Sequence, residues 1–424
     1  MVKRKGEKPL RVVMLGWEFP PFISGGLGTA CHGLVCAMGS LGVDITMLLP
    51  MAVQDYLYGT VKTGAELGLC ELAELKRVVL KSVPSTAPNP YHRHKSKSRS
   101  IRVFGTGQAG GYEGNLIERV YEYAQRCVEI VEADAFDVIH AHDWVTFPAG
   151  IALQNTFQKP LVVHVHATEF DRSGQNVNRS IYEVEQQGMK AASAVIAVSN
   201  YTAGIINRYY GVPLKKIHVV HNGINPKPVA SRPFNKISKA IVLFLGRITA
   251  QKGPEYFVRA AEQVLNRRND VKFIMAGWGD LAPDIIRMVA AKGLGTRILF
   301  AGFLHGSQVD MAYRMSDLYV MPSVSEPFGL TALEAVQQGL PVIISKTAGA
   351  GEVLRQGALK VDFWDVDKMA QQIVEILSNP LLAQQLRSTA DKEIKQLTWG
   401  AAARKCVDVY NDIGVPAEQL LCNN

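Results

Sequence analysis

Apolar positions along this chain follow two periods that take turns. Residues 10–15 make a short apolar run, and residues 43, 45, 47 and 49 alternate with polar neighbours. Between them Leu27, Ala30, Cys31, Leu34, Val35 and Met38 recur at helical spacing. The pattern predicts strand, glycine-rich loop, helix and strand, the opening of a doubly wound sheet. Residues 51–115 break it, with prolines at 84–90 and glycines at 105–114, and read as an insertion of mixed strands and loops. The helical period returns where Leu116, Val120, Ala124, Cys127, Val128 and Val131 line one face. Strands are predicted at 136–140, 161–166, 194–199 and 217–220, with helical sequence between them, and such alternation means a parallel sheet. A polar, proline-containing stretch at 226–238 reads as a linker. Beyond it, strands are predicted at 241–245, 271–276, 298–301, 318–321 and 342–345, and residues 365–413 read as helices.

These elements predict an α/β chain of two Rossmann-like, doubly wound parallel-sheet domains facing a cleft. The first spans 1–230 with 51–115 inserted, the second 231–397, and a C-terminal helix within 398–424 packs back onto the first. A ligand shared by two such domains lies between their facing carboxyl ends.

Composition narrows the classes. A length of 424 residues with 47% apolar content is enough for two or three packed cores. No apolar run approaches the ~20 residues a membrane-spanning helix needs. The basic start at 3–8 leads into an apolar piece too short for a signal peptide, and a cytoplasmic location is expected. Cysteines 31, 36, 70, 127, 406 and 422 show no CxxC spacing and no clustering with histidine along the chain, against a disulfide frame or zinc site. The net charge of +8 comes partly from HRHKSKSRS at 92–100, which has no interleaved aromatics and reads as a solvated loop rather than a nucleic-acid contact. Gly25, Gly26 and Gly28 do not fit GxGxxG, so no hydride-transfer cofactor is expected.

The chemistry gathers at predicted strand ends. SEPFGLTALEA at 325–335 follows the strand 318–321 and places Glu326 on a loop and Glu334 inside the next helix. Gly329 lets backbone approach a ligand, and Leu330 and Thr331 present N–H groups at the helix start, an anion site. GRITAQKG places Arg247 and Lys252 after another strand, two cations fit for a diphosphate. Gly25 and Gly26 offer backbone N–H groups on the first domain. Trp17, Glu18, the HAHDW run with His140, His142 and Asp143, His166, and the AGWGD loop at 276–280 are also expected at the cleft. A ligand with both phosphate and hydroxyl groups, a nucleotide sugar, suits a carboxylate beside an anion site.

GRITAQKG, SEPFGLTALEA, HNGIN at 221–225, AGWGD and the glycine loop together resemble the retaining GT-B glycosyltransferases of families 4 and 5. GWEFPPFISGGLGT and HAHDWVTFPAG are most similar to glycogen and starch synthases. One departure is Ser24, which stands where bacterial glycogen synthases carry lysine before the double glycine. The resemblance implies that Arg247 and Lys252 hold the donor diphosphate, aided by backbone at Gly25, Gly26, Leu330 and Thr331. It implies that Glu334 binds the ribose, Glu326 the sugar hydroxyls, that His166 lies at the reacting centre, and that His140, His142 and Asp143 face the donor or acceptor sugar. No metal or cofactor is required. The implied partners are a nucleotide-sugar donor and a glycan or other saccharide acceptor, the leading reading being glucose transfer from ADP- or UDP-glucose to an α-glucan. Transfer of another sugar such as mannose, a sugar-nucleotide epimerase, and a non-catalytic glycan binder are the alternatives.

Overall fold

Short strands buried on both faces need helices above and below, and the fold follows from that demand. The computed structural model describes residues 9–20, 25–50, 77–83, 113–133, 136–225 and 240–415. The basic start, Ser24, the expected linker at 226–238, most of the insertion 51–115 and the end of the chain after 415 lie outside them.

Seven parallel strands form the first sheet: β1 (Arg11–Leu15), β2 (Asp44–Leu49), β3 (Val78–Ser82), β4 (Val138–His142), β5 (Leu161–Val165), β6 (Ala194–Ala197) and β7 (Ile217–Val219), in the order β3-β2-β1-β4-β5-β6-β7. Six form the second: β8 (Ala240–Leu245), β9 (Val271–Ala276), β10 (Ile298–Gly302), β11 (Leu318–Met321), β12 (Val342–Ser345) and β13 (Ala358–Val361), in the order β10-β9-β8-β11-β12-β13. All pairings within both sheets are parallel. Alternation divides each strand between two cores. Val13 and Leu15 join Val163 and Phe147 on one face, while Val12 and Met14 join Leu34 and Val35 on the other.

Several strand limits differ from expectation, and β13 falls where no strand was expected. β4 runs to His142 rather than stopping at His140, because both imidazoles are fully buried and stacked, so polar residues occupy strand positions. β3 lies inside the insertion, where no clear period marks it.

The closing helix Trp399–Asp412 crosses back to the first sheet. Trp399, Ala403, Cys406, Val407 and Tyr410 share a core with Leu34, Val35 and Met38 of helix Gly26–Ser40. Gly33 permits the approach, since a Cβ there would run into the Trp399 indole. Just before that helix, the Ile224 N–H donates to the Leu397 carbonyl at 3.0 Å.

In each sheet the winding reverses once. β1 lies between β2 and β4, and β8 lies between β9 and β11. The loops that leave these adjacent strands depart to opposite sides and open a crevice at their carboxyl ends, where ligands of such sheets bind.

Candidate functional site

The second crevice is built from the loops after β8 and β11. Arg247 follows β8 and is exposed, and the 3-10 turn Ala250–Lys252 comes next. Lys252 Nζ donates to Glu326 Oε2 at 2.6 Å, and Ser323 Oγ donates to the same oxygen at 3.0 Å. The Glu326 backbone is also fixed, with its N–H on the Thr347 carbonyl at 3.0 Å and its carbonyl accepting from Gly349 N–H at 2.9 Å. A carboxylate and an ammonium are therefore set side by side on one sheet edge, with Glu326 only 6% exposed.

Helix Leu330–Gln337 starts at once after this loop. Gly329 precedes it at φ +106, a conformation that favours glycine, and no side chain caps the start. The first-turn N–H groups of Leu330 and Thr331 have no partner within the helix itself. Tyr313 and Tyr319 brace it, the first donating to Glu334 Oε2 at 3.0 Å and the second to Thr331 Oγ1 at 2.8 Å. On the other domain, helix Gly26–Ser40 starts after Gly25, again with no side-chain cap. A Cβ on Gly26 would stand 3.9 Å from Leu330 Cδ1. Two uncapped helix starts, one per domain, thus approach each other, and each carries the positive end of a helix dipole.

A ladder of imidazoles fills the carboxyl ends of β4 and β5. His140 stacks on His142 at 4.5 Å and His164 on His166 at 4.4 Å. His142 Nδ1 lies 2.9 Å from His166 Nε2, and His140 bridges His164 Nδ1 at 3.2 Å and the Tyr410 hydroxyl at 2.5 Å. Burial holds the pKa of both His140 and His166 down at about 3, so both rings are neutral near pH 7. Asp143, with φ +58, accepts from the backbone N–H of His166 at 2.6 Å and of Ala167 at 3.3 Å. Burial pushes its carboxyl pKa up to about 7.

Polar contacts join the two halves around the Glu326 loop. Ser325 Oγ donates to Asp171 Oδ1 at 2.5 Å and lies 2.9 Å from the Tyr201 hydroxyl. Ser199 Oγ donates to the Pro327 carbonyl at 2.6 Å.

The fold thus brings Arg247, Lys252 and Glu326 to one sheet edge, sets Gly329, Leu330, Thr331 and Glu334 on the adjoining helix, and places Gly25 and Gly26 opposite. His166 stands at the end of β5 with Asp143 holding its backbone. Trp17, expected at the cleft, is instead 2% exposed and packs edge-on against Tyr123 at 5.5 Å, where its large ring gains more from burial. Ser323, Ser325, Asp171 and Tyr201 were not picked out by sequence reasoning, since single polar residues without spacing carry no signal until the chain is folded.

A family model described as glycosyl transferases group 1 matches residues 230–393, and one described as glycosyltransferase family 4 matches residues 24–227. The chain belongs to the GT-B glycosyltransferases. This GT-B chain is 26% identical to an uncharacterized glycosyltransferase of Methanocaldococcus jannaschii, covering 95% of this chain and 98% of that one. It is also 26% identical to a glycogen synthase of Mycobacterium tuberculosis, covering 95% and 94% respectively. Among solved structures, the GT-B fold matches sucrose-phosphate synthase from Thermosynechococcus elongatus with a TM-score of 0.72 at 20% identity, over 95% of this chain and 99% of the other. Among the described residues no helix is long and apolar enough to cross a membrane.

Proposed function

We propose that this transferase moves glucose from ADP- or UDP-glucose to an α-glucan with retention of the anomeric configuration. The Lys252–Glu326 pair, 2.6 Å apart beside an uncapped helix start, carries the reading. A diphosphate needs cations and N–H donors, a hexose needs a fixed acceptor for its hydroxyls, and a nucleotide sugar needs both within a few ångströms.

In this reading the diphosphate lies against the backbone of Gly25, Gly26, Leu330 and Thr331, with Gly329 letting the chain come close. Arg247 and Lys252 balance the charge that grows as the bond from sugar to phosphate breaks. Glu334 accepts from the ribose, and Glu326 accepts from the sugar hydroxyls and favours positive character at the anomeric carbon. His166 faces the sugar from the first domain, with Asp143 as its positioning residue. The acceptor hydroxyl attacks from the face the phosphate leaves, and the departing phosphate oxygen takes its proton. Residues 1–230 then serve the acceptor and 231–397 the donor.

The likeness to a glycogen synthase over 95% of the chain supports the glucan acceptor. The family 4 match favours one second reading, transfer of another hexose such as mannose to a lipid, saccharide or small-molecule acceptor. Cys31, Cys36, Cys127 and Cys406 are all buried thiols outside any disulfide, which supports a reducing, cytoplasmic setting. The deciding experiment measures nucleotide release from a panel of nucleotide sugars, with and without glycogen or maltooligosaccharide. Glycogen-dependent release from ADP- or UDP-glucose, with an α-linked product by NMR, is expected. No such release overturns the glucan reading, and a β-linked product overturns retention.

A further inference from the structure

The imidazole ladder holds more nitrogen than sugar transfer uses. Cys31, buried on helix Gly26–Ser40, reaches it from the side: its sulfur and one ring nitrogen each of His142 and His166 lie within 4.8 Å of one another. Along the chain Cys31 and His142 are far apart, so sequence spacing gives no hint of this. The Nε2 atoms of His142 and His164 are buried without a hydrogen-bond partner, a costly state for a polar atom.

The donor set selects the ion. One thiolate and two imidazoles suit zinc and its borderline neighbours, and do not suit magnesium or calcium. His142 Nδ1 and His166 Nε2 share a hydrogen bond at 2.9 Å, and two nitrogens on a tetrahedral zinc at ~2.1 Å are ~3.4 Å from each other, so the ion takes the place of that hydrogen bond after a small ring displacement. The alternative triad of His140, His142 and His164 offers no thiolate, the donor that a borderline-soft ion favours.

We propose that Cys31, His142 and His166 form a binding site for a zinc-class divalent cation, and that its occupation stops sugar transfer. Three protein ligands leave a fourth position for water, and His166 is half-buried rather than sealed. On binding, the Cys31 S–H bond breaks, its proton passes to solvent, and a sulfur–metal bond forms with no change of oxidation state. The inhibition, unlike the binding, rests on the proposed role of His166, since a coordinated ring cannot also face the sugar.

Cobalt(II) serves as a coloured probe for the full-length protein. One equivalent is expected to bind with a thiolate-to-cobalt absorption band and to be displaced by zinc. The Cys31→Ser variant is expected to lose the band and to bind zinc at least ~10-fold more weakly, since loss of even an outer-shell partner costs 10–100-fold. Cys36→Ser is the control and keeps the band, because the cluster with His142 and His166 contains Cys31 and not Cys36. A wild-type spectrum without a thiolate band overturns the site even if Cys31→Ser does not fold, and so does a band lost in Cys36→Ser instead. In the nucleotide-release assay, zinc is expected to inhibit the wild type and to spare Cys31→Ser, whose basal rate is unchanged. Binding without inhibition upholds the site and overturns the inhibitory half of the proposal, removing His166 from transfer.

Discussion

Lys252 is the side chain on which the proposed chemistry depends most. Its ammonium is held 2.6 Å from Glu326 before any substrate arrives, so no reorganisation is needed when negative charge develops on a leaving diphosphate. Lys252→Ala is expected to lower turnover by ~10²-fold or more in the nucleotide-release assay, with kcat/KM falling in step. Turnover near normal would take Lys252 out of the mechanism. Glu326→Gln, combined with Lys252→Ala, is expected to cost less than the sum of the single effects, because the two groups act as a pair. These two residues were legible because each follows an apolar run and stands in a dense local motif. Asp143 was legible as a polar residue at a strand end, but its link to the His166 backbone was not, since that contact spans two strands and depends on a positive φ. The proposed metal ligands were hidden for the same reason: a helix and two strand ends meet only in the folded chain.

At the scale of elements, close approach decides what can be substituted. Gly33 faces the Trp399 indole, a rigid ring pinned within a shared core. Gly33→Ala is expected to destabilise the protein by about 1–3 kcal/mol, the usual range for overpacking, and to lower the midpoint of thermal unfolding. An unchanged midpoint would mean that the closing helix shifts freely. Strands such as β1 and β6 were readable because residues buried on both faces leave an unbroken apolar run. β4 was misplaced by two residues because hydropathy treats His140 and His142 as surface groups, whereas stacking and the Tyr410 hydroxyl make them interior ones. β3 was expected only as an unplaced strand of the insertion, because five residues in so long a stretch have too few positions to show a period.

At the scale of the whole molecule, Glu352 ties the halves together. Its Oε2 is 2.8 Å from His221 Nε2 and accepts from Asn200 N–H at 2.9 Å, while Oε1 accepts from Tyr201 N–H at 2.9 Å. Despite burial, which acts to raise it, these donors bring its pKa down to about 2 from an ordinary 4.5. A carboxylate depressed on folding contributes stability that is complete above the unfolded value and fades as pH falls through the folded one. The contribution should therefore be present at neutral pH and lost between about 4.5 and 2. Glu352→Gln is expected to lower the melting temperature at pH 7 and to flatten its decline across that acid window. A variant that melts in parallel with wild type at every pH would show that the contact adds nothing. Two alternating sheets made the two-domain plan readable in advance. The ties between them were not, since Ser199, Asp171, Ser325 and Glu352 meet across more than a hundred residues of chain.

The return of helix Trp399–Asp412 to the first sheet sets a timetable for synthesis. A chain emerging from the ribosome delivers β1 to β7 early, yet the apolar face around Leu34, Val35 and Met38 must wait for residues that arrive only after both sheets. The second sheet, whose cores close within residues delivered before that helix, is free to fold while the first still exposes part of its interior, the condition under which nascent chains aggregate or recruit chaperones. A release of the chain before residue 399 would leave that face uncovered, with Leu34, Val35 and Met38 exposed to other chains.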